Sequence, residues 1–138
     1  MVAEARRAPG RTSAGTVFWV SWLRGAGATA RSALVALSCC RLEAVTVVAR
    51  RPEAAAGLAE IAETLGVGLE VTGWSGIAGC ADAGLVVSTT PAGATDPLAE
   101  GLHAVAGTWF DVVYAPWPTA AAAAWAQAGG QIVGGVEL

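Results

Sequence analysis

The chain has 138 residues, 54% of them hydrophobic and only 14% charged, with a formal net charge of −3. That is enough for one domain with its own core, and too apolar for the disorder of highly charged sequences. Eight basic residues against eleven acidic ones leave no cationic footprint for nucleic acid.

In chain order, residues 1–15, with Pro9, Gly10, Ser13 and Gly15, read as a disordered leader, and 16–138 as one domain. TVFWVSWL (16–23) has the length and the β-branched and aromatic content of a strand. The spacing predicts a helix from Ala28 to Cys40 with Ala30, Ala33, Leu34 and Leu37 on one face. AVTVVA (44–49) is a second strand, apolar on both faces. Pro52 sits at the first turn of a helix that carries Leu58, Ile61, Ala62 and Leu65 inward and stops at Gly66. GLEVTG (68–73) is a third strand, and residues 74–83 are a loop or short helix. GLVVSTT (84–90) is a fourth strand, followed by a helix at 97–106. TWFDVVY (108–114), an alanine-rich helix at 119–128 and QIVGGV (131–136) complete the series. Alternating strands and helices predict an α/β fold: a Rossmann-like, doubly wound parallel sheet of five to six strands in three αβα layers, ordered 3-2-1-4-5-6.

Two stretches imitate membrane signals. Residues 112–136 carry no charge, but Pro116 and Pro118 open that stretch, four glycines close it and alanine fills its middle, so it reads as buried structure rather than a span. Arg6, Arg7 and Arg11 precede the 16–23 run as in a secretory signal, but the run is short and Arg24 follows at once. Cys39, Cys40 and Cys80 lack a CxxC spacing, and with the lone His103 they assemble no zinc set. They are expected as buried apolar thiols in a reducing compartment, hence a cytoplasmic protein without metal. His103 is expected half-exposed on a helix.

RGAGATARSALVAL (24–37) leaves a strand and opens a helix. Gly25 permits a tight turn, Gly27 lets backbone approach a pyrophosphate, and Ala30 takes the third small position, where helix packs on strand. NAD sites end the second strand with an acid about 20 residues further on. Here that place holds Ala49, Arg50 and Arg51. Guanidiniums bond phosphate bidentately, and cations at a helix start oppose its dipole, so the pair points to the 2′-phosphate of NADP.

GAGATARSAL, TVVARRPE, VVSTTPAG, WFDVVYAPWPT and QAGGQIVGGVEL, in that order and spacing, resemble the NADP-binding half of shikimate dehydrogenase over residues 25–138. WFDVVYAPWPT is the most specific part. The resemblance implies that Gly25, Ala26, Gly27, Ala28 and Thr29 form the diphosphate loop. It aligns Arg50 with the arginine of the family's Asn-Arg-Thr motif, Ala49 and Arg51 replacing its neighbours and Ala54 its second basic residue, for which Arg51 substitutes. It aligns Ser88, Thr89 and Thr90 with the stretch beside the nicotinamide ribose, Tyr114 with a tyrosine near the substrate, and Gly135 with the backbone that meets the nicotinamide. Trp19, Ser21, Trp22 and Arg24 stand where the family has a smooth Val/Leu strand, so residues 1–24 read as displaced from its native lead-in. The family's catalytic Lys and Asp belong to a substrate domain with no counterpart here, and the chain is expected to be truncated at both ends. The expectation is an NADP-binding domain, inactive alone, that meets shikimate or 3-dehydroshikimate only if a substrate domain is supplied. The alternatives are a stand-alone NADP-binding partner module or a non-functional gene remnant.

Overall fold

The valine-rich runs form parallel strands in the computed structural model, which describes residues 13–21, 28–39, 44–91, 93–111 and 115–134. The strands are β1 (Ser13–Ser21), β2 (Ala44–Ala49), β3 (Gly68–Thr72), β4 (Ala83–Ser88), β5 (Thr108–Asp111) and β6 (Gln131–Gly134). They form one six-stranded sheet in the order β3-β2-β1-β4-β5-β6, with every pairing parallel. The order reverses between β1 and β4, where a doubly wound sheet opens its crevice.

The helices are α1 (Ala28–Ser38), α2 (Leu58–Leu65) and α3 (Ala120–Gln127). On one face, Leu34 of α1 and Leu58 and Ala62 of α2 are buried against Val45 and Val47, with Ala33, Leu37, Ile61 and Leu65 partly buried beside them. This is the inward set that the spacing predicts for α2. Gly66 then adopts φ 72° and its N–H caps the Ala62 and Glu63 carbonyls, a left-handed position that suits glycine. On the other face, Val48, Val86, Leu98, Trp109 and Trp125 form a second core.

Several sequence expectations need correction. The first strand begins at Ser13, so residues 13–15 belong to the sheet and not to a leader. Ser13–Ser21 also occupies the central position between β2 and β4, despite the unusual residues near its end. The helix expected at 97–106 is a 3₁₀ helix over Asp96–Gly101. Only Leu98 in it is buried, too little for a longer amphipathic helix. The chain then runs irregularly to Val105, whose N–H donates to the Ala128 carbonyl at 3.1 Å, so His103 is exposed on irregular backbone rather than half-exposed on a helix. Residues Trp74–Asp82 are likewise 3₁₀. Cys80 is a buried thiol as expected, but Cys39 is exposed at the end of α1, where the helix has turned it off the sheet. Cys40 lies outside the described residues.

Candidate functional site

The strand register draws one line across the sheet. Thr72 pairs with Val48, Val48 with Val20, Val20 with Ser88, Ser88 with Asp111, and Asp111 with Gly134. All six strands therefore end within one residue of this line, and the segments that follow them share one edge, where open parallel sheets bind ligands.

On β2 the chain passes that line through buried Ala49 to Arg50 and Arg51, both exposed. Arg51 is extended (φ −126°, ψ 90°) and precedes a 3₁₀ helix whose first residue is Pro52. The arginines thus stand beyond the sheet, beside a helix start whose dipole disfavours cations. Two guanidiniums held there suit a phosphate dianion. On β4, Ser88 and Thr90 are buried and their hydroxyls lie 3.1 Å apart. Each hydroxyl retains hydrogen-bonding capacity beyond that contact. Thr89, between them, is half-buried. Ala28 and Thr29 begin α1. Gly25, Ala26, Gly27, Tyr114 and Gly135 lie outside the described residues.

Trp74 and Thr95 near this edge escaped the sequence reading, and Asp111 and Thr119 entered it only as part of the WFDVVYAPWPT stretch, without a role. Beyond β3, Trp74 and Ile77 form one wall of an apolar hollow of about 260 Å³, closed by Ala94, Thr95, Pro97 and Leu98. Thr95 is buried, and its hydroxyl makes no hydrogen bond among the described residues. Beyond β5, the buried Asp111 carboxylate accepts from Trp109 Nε1 and from Thr119 Oγ1, each at 3.3 Å. The same Thr119 oxygen caps α3 by accepting from the Ala122 N–H at 3.2 Å. A threonine directly ahead of an alanine run is a readable cap signal. Nothing local in the sequence marks Trp74, because the hollow is assembled from two segments distant along the chain.

Cys80 is remote in character from this edge chemistry. Burial pushes its thiol up from 9.0 to about 12, Asp82 adds to the rise, and its own backbone hydrogen bond opposes it. Among the described residues no three His, Cys, Asp or Glu side chains cluster to hold a metal, and no helix is long and apolar enough to cross a membrane.

No family model and no curated protein match the chain, but solved structures do. Shikimate dehydrogenase from Mycobacterium tuberculosis is 34% identical with a TM-score of 0.75, over 91% of this chain and 48% of that one. Shikimate 5-dehydrogenase from Thermus thermophilus in complex with NADP(H) and shikimate is 26% identical with a TM-score of 0.61, over 88% and 43%. Quinate dehydrogenase from Corynebacterium glutamicum in complex with NAD shares the fold at 24% identity and a TM-score of 0.69, over 91% and 46%. The chain is thus shikimate dehydrogenase-like, a Rossmann unit that spans less than half the length of those enzymes.

Proposed function

We propose that the chain holds NADP along the carboxyl edge of its sheet, as the cofactor-binding unit of a shikimate dehydrogenase-like oxidoreductase. The observation that carries this reading is the Arg50–Arg51 pair just past β2, where an NAD site places an acid. The strand reversal between β1 and β4 separates the two nucleotides. Adenosine with its 2′-phosphate goes to the β1–β2–β3 side with the arginines, and nicotinamide to the β4–β5–β6 side. The hollow beside Trp74, walled by the segments that follow β3 and β4, receives the purine: it is apolar, aromatic-walled and large enough for a planar base. Ser88, Thr89 and Thr90 supply hydroxyls to the nicotinamide ribose, and Gly25, Ala26, Gly27, Ala28 and Thr29 hold the diphosphate, as the resemblance implies. Tyr114 and Gly135 are assigned to substrate and nicotinamide on the same ground.

When bound, the cofactor supplies the hydride acceptor or donor for interconverting shikimate and 3-dehydroshikimate. The residues of this chain bind and orient it. The sequence contains no lysine, the family's acid/base group, and proton transfer needs a positioned side chain, so these 138 residues alone do not turn shikimate over. The free thiols Cys39 and Cys80 suit a reducing compartment such as the cytoplasm.

Calorimetric titration of the chain with NADP and with NAD tests the reading. A 2′-phosphate held by charge-assisted bonds of about 1.5–3 kcal/mol makes NADP roughly ten- to a hundredfold tighter. Equal affinities, or tighter NAD, overturn it.

A further inference from the structure

We propose that Asp111 and Thr119 are positioning residues for the nicotinamide half of the bound dinucleotide, acting by pinching shut the connection between β5 and α3. The proposal rests on the cofactor reading above.

The chain leaves the edge line at Asp111 and re-enters regular structure at Thr119, the residue before α3. A side-chain hydrogen bond of 3.3 Å joins those two points. Its polarity is fixed. The Thr119 oxygen already accepts from the Ala122 N–H, so its single proton is free to point at the carboxylate. The bond is shielded from water, since Asp111 is 1% exposed and Thr119 5%. Asp111 is in turn tied back to β5 by the Trp109 indole N–H. Both ends of the connection are therefore anchored to the sheet and to the helix.

What the pinch holds is visible in residues 115–118. Trp117 lies against the last residue of β6: a Cβ on Gly134 would sit 2.8 Å from the indole ring, closer than real Cβ contacts come, so only glycine allows this seat. Pro116 and Pro118 on either side of Trp117 restrict the backbone further. This wall stands at the end of β6. The arginines stand past β2, across the strand reversal. A dinucleotide whose adenosine phosphate is gripped by Arg50 must present its other half to the Trp117 side. A wall set before the ligand arrives lowers the ordering cost of binding that half, and only that half.

The test uses two ligands and three variants of the full chain. NADP occupies both sides, whereas adenosine 2′,5′-bisphosphate occupies only the arginine side. Thr119→Val keeps the shape but removes the hydroxyl, Thr119→Ser restores it, and Asp111→Asn weakens the acceptor. The expected result for Thr119→Val is NADP binding about tenfold weaker, with bisphosphate affinity within twofold of wild type and the serine variant close to wild type. Asp111→Asn gives the same ligand split and decides the matter if the valine variant does not fold. The NMR shifts of Gly134, which sits under the Trp117 ring, report the wall without any ligand. In Thr119→Val they move toward those of Trp117→Ala. Equal weakening of both ligands makes the pair merely structural and overturns the proposal, as do unchanged Gly134 shifts. A wild-type chain that binds neither ligand overturns the cofactor reading itself, and with it the nicotinamide side.

Discussion

Removing the Arg50 guanidinium separates the two cofactors. Arg50 is exposed, so its bond to a phosphate is partly screened, and the lower end of the charge-assisted range applies, about 1.5 kcal/mol. Arg50→Ala therefore raises the Kd for NADP roughly tenfold and leaves NAD within about twofold, because NAD offers that side chain no phosphate. Arg50→Asp goes further, since a carboxylate repels the phosphate and accepts ribose hydroxyls, and moves the preference toward NAD. Arg51→Ala costs less if Arg51 supplements its neighbour, and as much if it replaces the family's second basic residue. Salt is a second axis. Raising it narrows the gap between NADP and NAD in the wild type, because exposed charges are screened over about 10 Å at 0.1 M. Calorimetric titration of both cofactors measures each Kd. Arg50 also interacts within the protein, and a thermal melt of each variant separates lost binding from lost fold. Equal losses for NAD and NADP in a folded Arg50→Ala chain would mean that the arginine is structural, and the assignment of the 2′-phosphate would fall.

Trp74→Ala has the opposite signature: it removes a stacking surface worth about 1–3 kcal/mol and weakens NAD and NADP alike, in the same titrations. Cys80 has its folded pKa raised from 9.0 to about 12, so between those values the unfolded chain holds fewer protons than the folded one. Stability is then fully present below pH 9 and falls as pH rises beyond it, which urea midpoints compared with those of Cys80→Ala across pH 8–10 detect as a steeper loss in the wild type. At pH 8 a thiol reagent labels Cys39 in the native chain and spares Cys80. Trp125→Phe removes an indole N–H bond of 2.9 Å to the Gly107 carbonyl, but that oxygen keeps the Gln131 N–H at 3.1 Å. The loss is accordingly about 1 kcal/mol for the bond plus the trimmed volume, against about 3–5 kcal/mol for Trp125→Ala, both readable from urea unfolding.

The strand order was legible because each strand is a separate valine-rich run between helices, and parallel connection with one handedness leaves few arrangements. The position of Arg50 and Arg51 just past β2 was legible for a related reason: the length of a βαβ unit sets where the second strand ends. The 3₁₀ segments were not. Pro97 and Leu98 look like the opening of an α-helix, and only the short supply of inward side chains, with Gly101 close behind, shows that one turn of burial suffices. Cys39 was misjudged because apolar character was taken for burial, although its place on the turn after α1 faces it outward. The Asp111–Thr119 bond and the Trp74 hollow depend on tertiary proximity. Thr119 was placed only as the start of an alanine-rich helix, and no spacing rule says that its proton would go to a carboxylate eight residues earlier.

The helix that follows that cap is an odd object. Five of the eight residues of α3 are consecutive alanines, and a segment so short is marginal as a helix by itself. Smooth methyl surfaces also offer little to stop it from sliding along the sheet. Yet it is fastened at both ends to one strand, Thr119 to Asp111 where β5 finishes and Trp125 to Gly107 just before β5 begins. It behaves as a beam on two fixed supports. Its amides should exchange with solvent not by fraying from either tip but only when β5, α3 and β6 open together, so that an alanine tract becomes one of the most protected stretches of the molecule.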